Sequence, residues 1–133
     1  MIMLDLNVLL DVLQKRDPHY RVSAAVLEQV IHGDEAGALS ANAVTTVHYL
    51  VTRYADRTSA DRALSWLLRN LHVCPVGRDE LDRARSLGWP DFEDAVVAAV
   101  AESAGCSCIV TRNVKDFAGS PVPVLTPQEY LLR

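Results

Sequence analysis

Short apolar runs alternate along the chain with longer stretches in which apolar residues recur every three or four positions. That alternation predicts βα units feeding a mainly parallel sheet. Ile2-Met3-Leu4 is an apolar run ended by Asp5, and Val8, Leu9, Val12 and Leu13 follow at helical spacing. Asp17-Pro18 reads as a helix cap followed by proline in the first turn. Behind it lie a stripe of Val22, Val26, Val30 and Ile31 and a terminating Gly33. Residues 36–40 form the second strand candidate. Val44, Val47, Val51 and Tyr54 mark a third helix, and Ser59 is the expected cap of a fourth with Leu64, Leu67, Leu68 and Leu71 inward. Residues 71–76 predict a third strand; Leu81, Ala84 and Leu87 predict a short helix. Asp91 opens a helix over 92–104 whose face is almost wholly apolar, so it is expected deep in the core, with Gly105 closing it. Residues 106–111 read as the fourth strand. Residues 122–125 read as an edge strand, since Pro123 has no N–H to donate. Thr126 and Glu129 are spaced as a capping box for a last helix. The expectation is an α/β fold, one domain spanning 1–133, with no repeat or linker.

Composition adds limits rather than identity. No apolar run approaches the ~20 residues needed to span a bilayer, and Met1-Ile2-Met3-Leu4-Asp5 lacks the basic start of a secretory leader. Three cysteines, Cys74, Cys106 and Cys108, are too few and too apolar in setting for a disulfide framework. They fit core packing in a reducing, cytoplasmic compartment. The net charge of −4 argues against a protein that grips nucleic acid by phosphate neutralisation alone. It suits a site whose own carboxylates recruit divalent cations. Eleven of the thirteen basic residues are arginine, the side chain best shaped to fork phosphate.

In an open parallel sheet, ligands bind beyond the carboxyl ends of the strands. Asp5 and Asn7 follow the first predicted strand; Thr111, Asn113 and Asp116 end or follow the fourth; Asp91 and Asp94 share a face at the start of the helix before it. Glu93 is expected to point elsewhere. Asp5, between Leu4 and Leu6, also reads as an ordinary helix cap, and the acids near Asp94 are favoured by the helix dipole in any case. Taken together they predict an oxygen-rich pocket without histidine at zinc spacing. Hard oxygen ligands favour Mg²⁺ or Mn²⁺, and the simplest chemistry for such a site is phosphodiester hydrolysis. An aspartyl phosphatase would need an acid two residues after Asp5, where Asn7 stands, and a dinucleotide fold would need a glycine-rich turn there.

Three stretches carry a resemblance: Leu4-Asp5-Leu6-Asn7-Val8-Leu9-Leu10-Asp11, Asp91-Phe92-Glu93-Asp94-Ala95 and Ile109-Val110-Thr111-Arg112-Asn113-Val114-Lys115-Asp116-Phe117. In this order they resemble PIN domains, in particular those of VapC-like toxins. The resemblance implies a three-layer α/β/α fold with a central parallel sheet of four or five strands. It implies Mg²⁺- or Mn²⁺-dependent cleavage of RNA by the toxin of a type II toxin–antitoxin pair, with a cognate antitoxin, a homodimer and no membrane attachment. By position, Asp5, Asp94 and Asp116 are the implied catalytic acids, and Asp5, Asp94 and Asn113 the implied metal ligands. Asn7, Asp91, Thr111 and Thr46 are accessory; Arg112 and Lys115, which flank the acids, are the expected RNA contacts. The chain departs from the pattern at Thr46, where such nucleases usually carry a second acid; no acid occurs between Leu39 and Ala55. The alternative is a catalytically weak PIN-like module that binds RNA or protein. Asp11 is expected to compensate only if its helix bends inward.

Overall fold

The computed structural model describes residues 1–133. Five strands, β1 (Ile2–Leu4), β2 (Gly37–Ser40), β3 (His72–Cys74), β4 (Cys108–Val110) and β5 (Val124–Leu125), form one sheet in the order β3-β2-β1-β4-β5. All four pairings are parallel. Seven helices connect them: α1 (Leu6–Leu13), α2 (Tyr20–His32), α3 (Ala41–Tyr54), α4 (Arg57–Asn70), α5 (Arg78–Leu87), α6 (Phe92–Ser103) and α7 (Pro127–Leu132). A 3₁₀ turn, Val114–Phe117, follows β4.

The three central strands, β2, β1 and β4, are buried along their whole length because both faces of the sheet are covered there. Alternation within each strand divides its side chains between two cores. Ile2 and Leu4, Leu39, and Cys108 and Val110 join α1–α4 and α7 on one face. Met3, Ala38 and Ile109 join α5 and α6 on the other. This is the expected three-layer α/β/α arrangement. The unbroken run from Ala95 to Ala101 is buried, as its composition predicts, because α6 lies against the sheet and is itself covered by α5. At Gly37, an added Cβ would lie 3.0 Å from Leu71 and 3.1 Å from Val30, so glycine is what lets β2 pass between those side chains.

Several boundaries differ from the sequence expectation. Asp17-Pro18 is part of a turn, and α2 begins only at Tyr20, with no side-chain cap. The turn closes through backbone bonds instead, Arg16 N–H to the Asp11 carbonyl at 2.9 Å and Tyr20 N–H to the Arg16 carbonyl at 2.8 Å. Helix α4 is capped by Asp56, whose Oδ1 accepts from the Ser59 N–H at 2.6 Å, so Ser59 already lies in the first turn. Its buried stripe runs through Ala60, Ala63 and Leu67. The small side chains seat it against α3 and rotate Leu68 outward, 58% exposed. Tyr54, expected inward on α3, is 70% exposed at that helix's last position. The Thr126–Glu129 capping box forms as predicted.

No helix is long and apolar enough to cross a membrane.

Candidate active site

The strand order places β2 on one side of β1 and β4 on the other. Chain direction across the sheet therefore reverses between β1 and β4, and the crevice beyond their carboxyl ends is where such sheets bind ligands. A cavity of about 220 Å³ lies there. Asp5 enters it from the end of β1. Ser40 comes from the end of β2, and Asn42 and Thr46 from the first turns of α3. Asp91, Glu93 and Asp94 come from the start of α6, and Asn113 and Asp116 from the segment after β4. Asn7, on α1, completes the polar wall.

Asp5 is buried, and both of its oxygens are held. Oδ1 accepts from the Leu6 N–H at 2.8 Å and Oδ2 from the Thr111 hydroxyl at 2.7 Å. It therefore caps α1 and faces the cavity at once, and the two readings of the residue do not compete. Burial pushes its pKa up, the Thr111 and Leu6 hydrogen bonds pull it down, the Asp91 charge raises it and that of Arg112 lowers it. Thr111 stands behind the cavity wall. Its hydroxyl also accepts from the Asn113 N–H at 3.1 Å, which ties the end of β4 to the first acid.

Asp94 is placed by helix geometry: Asp91 Oδ1 caps α6 by accepting from the Asp94 N–H at 3.2 Å. Its pKa is pushed up to about 7, first by burial and then by the charges of Asp5, Asp91, Asp116 and Glu93. Five carboxylates thus share a wall that includes no lysine, arginine or histidine. Three further oxygens of that wall, Asn7 Oδ1, Asn42 Oδ1 and Ser40 Oγ, are buried without a hydrogen-bond partner. Buried polar atoms are normally satisfied, so such a group of orphans marks a place prepared for something external. The carboxylates ring the cavity rather than closing on one point: no three acidic, histidine or cysteine side chains form a finished ion cage. A hard divalent cation takes carboxylate, amide and hydroxyl oxygens and retains waters, so this donor set fits Mg²⁺ or Mn²⁺.

The sequence reading missed Ser40, Asn42 and Glu93. Ser40 had a signal, since it ends a strand on the edge where ligands bind. Asn42 lies one helical turn before Thr46, whose hydroxyl donates to the Asn42 carbonyl at 3.2 Å. Glu93 lines the cavity although its helix position suggested otherwise.

Neither expected RNA contact lines this cavity: Arg112 lies apart from it, and Lys115 borders it from an adjoining cleft. Arg112 is folded onto Asp11, with Nε 2.8 Å from Oδ2 and Nη2 3.2 Å from Oδ1, and it borders a different concavity with His19, Ser23 and Thr126. Asp11 in turn faces Arg112 rather than the acids, so α1 does not bring it inward to replace the missing one. Lys115 is exposed and lines an adjoining cleft with Trp89, Asp91, Asp94 and Asp116. The largest concavity, about 810 Å³, is an apolar groove between α1, α3 and α4 bordered by Arg16 and Arg62. It contains no acid, so its size does not make it the reaction site.

A PIN domain family model matches residues 1–115. The chain is 25% identical over 137 residues to a protein named Ribonuclease VapC1 from Aquifex aeolicus (strain VF5), spanning 99% of this chain and 94% of that one. A toxin–antitoxin complex from Klebsiella pneumoniae contains a chain that superposes with a TM-score of 0.74 at 26% identity, covering 96% and 98% of the two chains. VapBC-1 from nontypeable Haemophilus influenzae shares the fold, with a TM-score of 0.74 at 19% identity over 96% of this chain and 99% of that one.

Proposed function

From the premise that this chain belongs to the PIN domain family, we propose that it is a metal-dependent endoribonuclease that hydrolyses RNA phosphodiester bonds and serves as the toxin of a type II toxin–antitoxin pair. The observation that carries the reading is the wall of five carboxylates and three unpartnered buried oxygens with no basic side chain among them. Left to itself such a wall repels both its own charges and a phosphate. With Mg²⁺ or Mn²⁺ bound, it would gain a Lewis acid that lowers the pKa of water and offsets charge on the attacked phosphate. Asp5, Asp94 and Asn113 would hold the cation, with Asp116, Asp91, Asn7 and Thr46 around them. A named ribonuclease of similar length and the toxin–antitoxin neighbours support the substrate class and an antitoxin partner; a homodimer is proposed with them.

The chain's own residues supply the rest. Asp5 is kept oriented by Thr111 and the Leu6 amide, so it need not reorganise when charge arrives. Asp94, pushed up to about 7 while the wall is metal-free, would give up its proton on taking the cation. The unpartnered amide oxygens of Asn7 and Asn42 add acceptors that orient water without adding charge. Lys115, which shares a cleft with Asp91, Asp94 and Asp116, would meet RNA phosphate beside the acids.

Calorimetric titration with Mn²⁺ tests the reading. The parent is expected to bind Mn²⁺ and to cut RNA, EDTA to stop cleavage and Mn²⁺ to restore it, and Asp5→Asn to abolish both binding and cleavage. RNA binding that persists in EDTA without cleavage under any condition would favour a binding module. The observation behind that second reading is that α3 carries no acid at all, with Thr46 standing where one is usual.

A further inference from the structure

Asp11 is a fully buried charge that plays no part in the cavity. Its Oδ1 and Oδ2 accept the fork of Arg112, and Oδ2 also accepts from the Ser23 hydroxyl of α2 at 3.0 Å. Removing a carboxylate and a guanidinium from water is expensive, and a buried pair is weak evidence of net stabilisation. What this one does visibly is geometric. Three consecutive residues leave β4 and run beside α1. The Thr111 hydroxyl bonds the carboxylate of Asp5 that caps α1. Arg112 then grips Asp11, six residues further on and about 9 Å along the helix at ~1.5 Å per residue. The Asn113 N–H finally returns to the Thr111 hydroxyl. Thr111 itself is held from two sides, by its hydroxyl on Asp5 and by its N–H on the Leu125 carbonyl at 3.0 Å, and the Arg112 fork adds the one further attachment to α1 beyond it. Ser23 fixes Asp11 to α2, so the acid cannot follow Arg112 if the segment shifts.

We propose that Asp11 and Arg112 are positioning residues: their ion pair clamps the Thr111–Asn113 segment onto α1 and so holds the Asp5 carboxylate and Asn113 in register for metal binding and cleavage. The inference rests on the nuclease reading above and changes the part assigned to Arg112, which becomes a strut instead of a phosphate contact.

The two roles predict opposite results in the full-length protein, measured as kcat and KM on an RNA oligonucleotide cut by the parent and as Mn²⁺ affinity without RNA. For a clamp, Asp11→Asn, Arg112→Met and the double variant all lower kcat, and they weaken Mn²⁺ by about 10–100-fold, the usual effect of removing an outer-shell partner. KM and the salt dependence of RNA binding stay near the parent's. The double variant leaves no unpaired buried charge, so it is expected to melt close to the parent even if a single variant fails to fold. For a phosphate contact, Asp11→Asn would release the guanidinium and lower KM, while Arg112→Met would raise KM and reduce the salt slope by about 1. That pattern overturns the proposal, as does a folded double variant with parental kcat and Mn²⁺ affinity. A parent that neither binds Mn²⁺ nor cuts RNA removes the nuclease reading itself, and the clamp with it.

Discussion

The amino end of the sheet holds a single carboxylate and the carboxyl end five, and the fold treats them in opposite ways. At the amino end, Glu35 is surrounded by the chain's own donors. Oε2 accepts from the Ser107 hydroxyl at 2.8 Å and lies 3.8 Å from the Met1 ammonium, while Oε1 is 2.6 Å from Arg133 and 3.3 Å from the Tyr130 hydroxyl. Burial acts to raise its pKa, but Ser107, Arg133 and the amino terminus override it and the net shift is downward. At the carboxyl end, Asp94 has no side-chain partner and four like charges, and it is driven up to about 7. Glu35 is neutralised from within, whereas Asp94 is left without a compensating partner, and the fold carries that repulsion at some expense in stability.

The largest break in that contrast would come from the acid end. Asp94→Asn is expected to reduce RNA cleavage by about 10²–10³-fold, the scale of losing one preorganised electrostatic group. The melting temperature of the metal-free protein should hold or rise, because a repelling charge is gone. A parental cleavage rate in this variant would show that the carboxylate wall is not the reaction site.

Thr111→Val keeps the side chain's shape and deletes the hydroxyl that orients Asp5. Mn²⁺ affinity measured by calorimetry is expected to fall by about 10–100-fold. Affinity equal to the parent's would mean that Asp5 is oriented by its backbone bond alone.

The pH dependence sharpens the contrast further, because the two ends titrate with opposite sign. The Asp94 pKa is about 7 in the fold against 3.8 as the reference. Its protonated form is thus the one the fold favours. That contribution is complete below about pH 4 and is lost as pH rises through 7. Metal-free protein is therefore expected to melt lower at pH 8 than at pH 6, and Mn²⁺ to bind about tenfold tighter at pH 8, since it must displace the proton. Glu35 is lowered in the fold, so its contribution is present above its unfolded pKa of 4.5 and is lost as pH falls below it. A metal-free melting temperature that is flat between pH 6 and 8 would contradict the unrelieved repulsion at the acid end.

The smallest effect is expected at the structural end. Glu35→Gln should cost about 1 kcal/mol, given that its partners are partly exposed, and lower the melting temperature by a few degrees. Cleavage and Mn²⁺ affinity should stay as in the parent. A loss of activity there would mean the two ends are coupled across the sheet.

Much of this molecule is legible from one-dimensional pattern because its main determinants are local. The alternation of buried runs with helical periods predicts the strands and helices in order. The Thr126–Glu129 box and the Asp91 cap form where their spacing places them, since a cap needs only the N–H groups of the next turn. The Asp17-Pro18 cap does not form, because backbone bonds among Asp11, Arg16 and Tyr20 hold that turn instead. Leu68 faces outward because packing against α3 chooses the stripe through Ala60, Ala63 and Leu67. No count of apolar spacing within α4 contains that choice.

The sequence by itself determined the element types, the apolar strands of a sheet covered on both faces, and the oxygen chemistry of the residues near Asp5, Asp94 and Asn113. Only the tertiary structure decided which of those oxygens meet. It brought in Ser40, Asn42 and Glu93, set Thr111 behind Asp5, and turned Arg112 onto Asp11. The physical reason is distance along the chain. Secondary structure responds to neighbours within a few residues, whereas Thr111 and Asp5 are 106 positions apart and Arg112 and Asp11 are 101 apart. Such contacts exist only after β4 has paired beside β1.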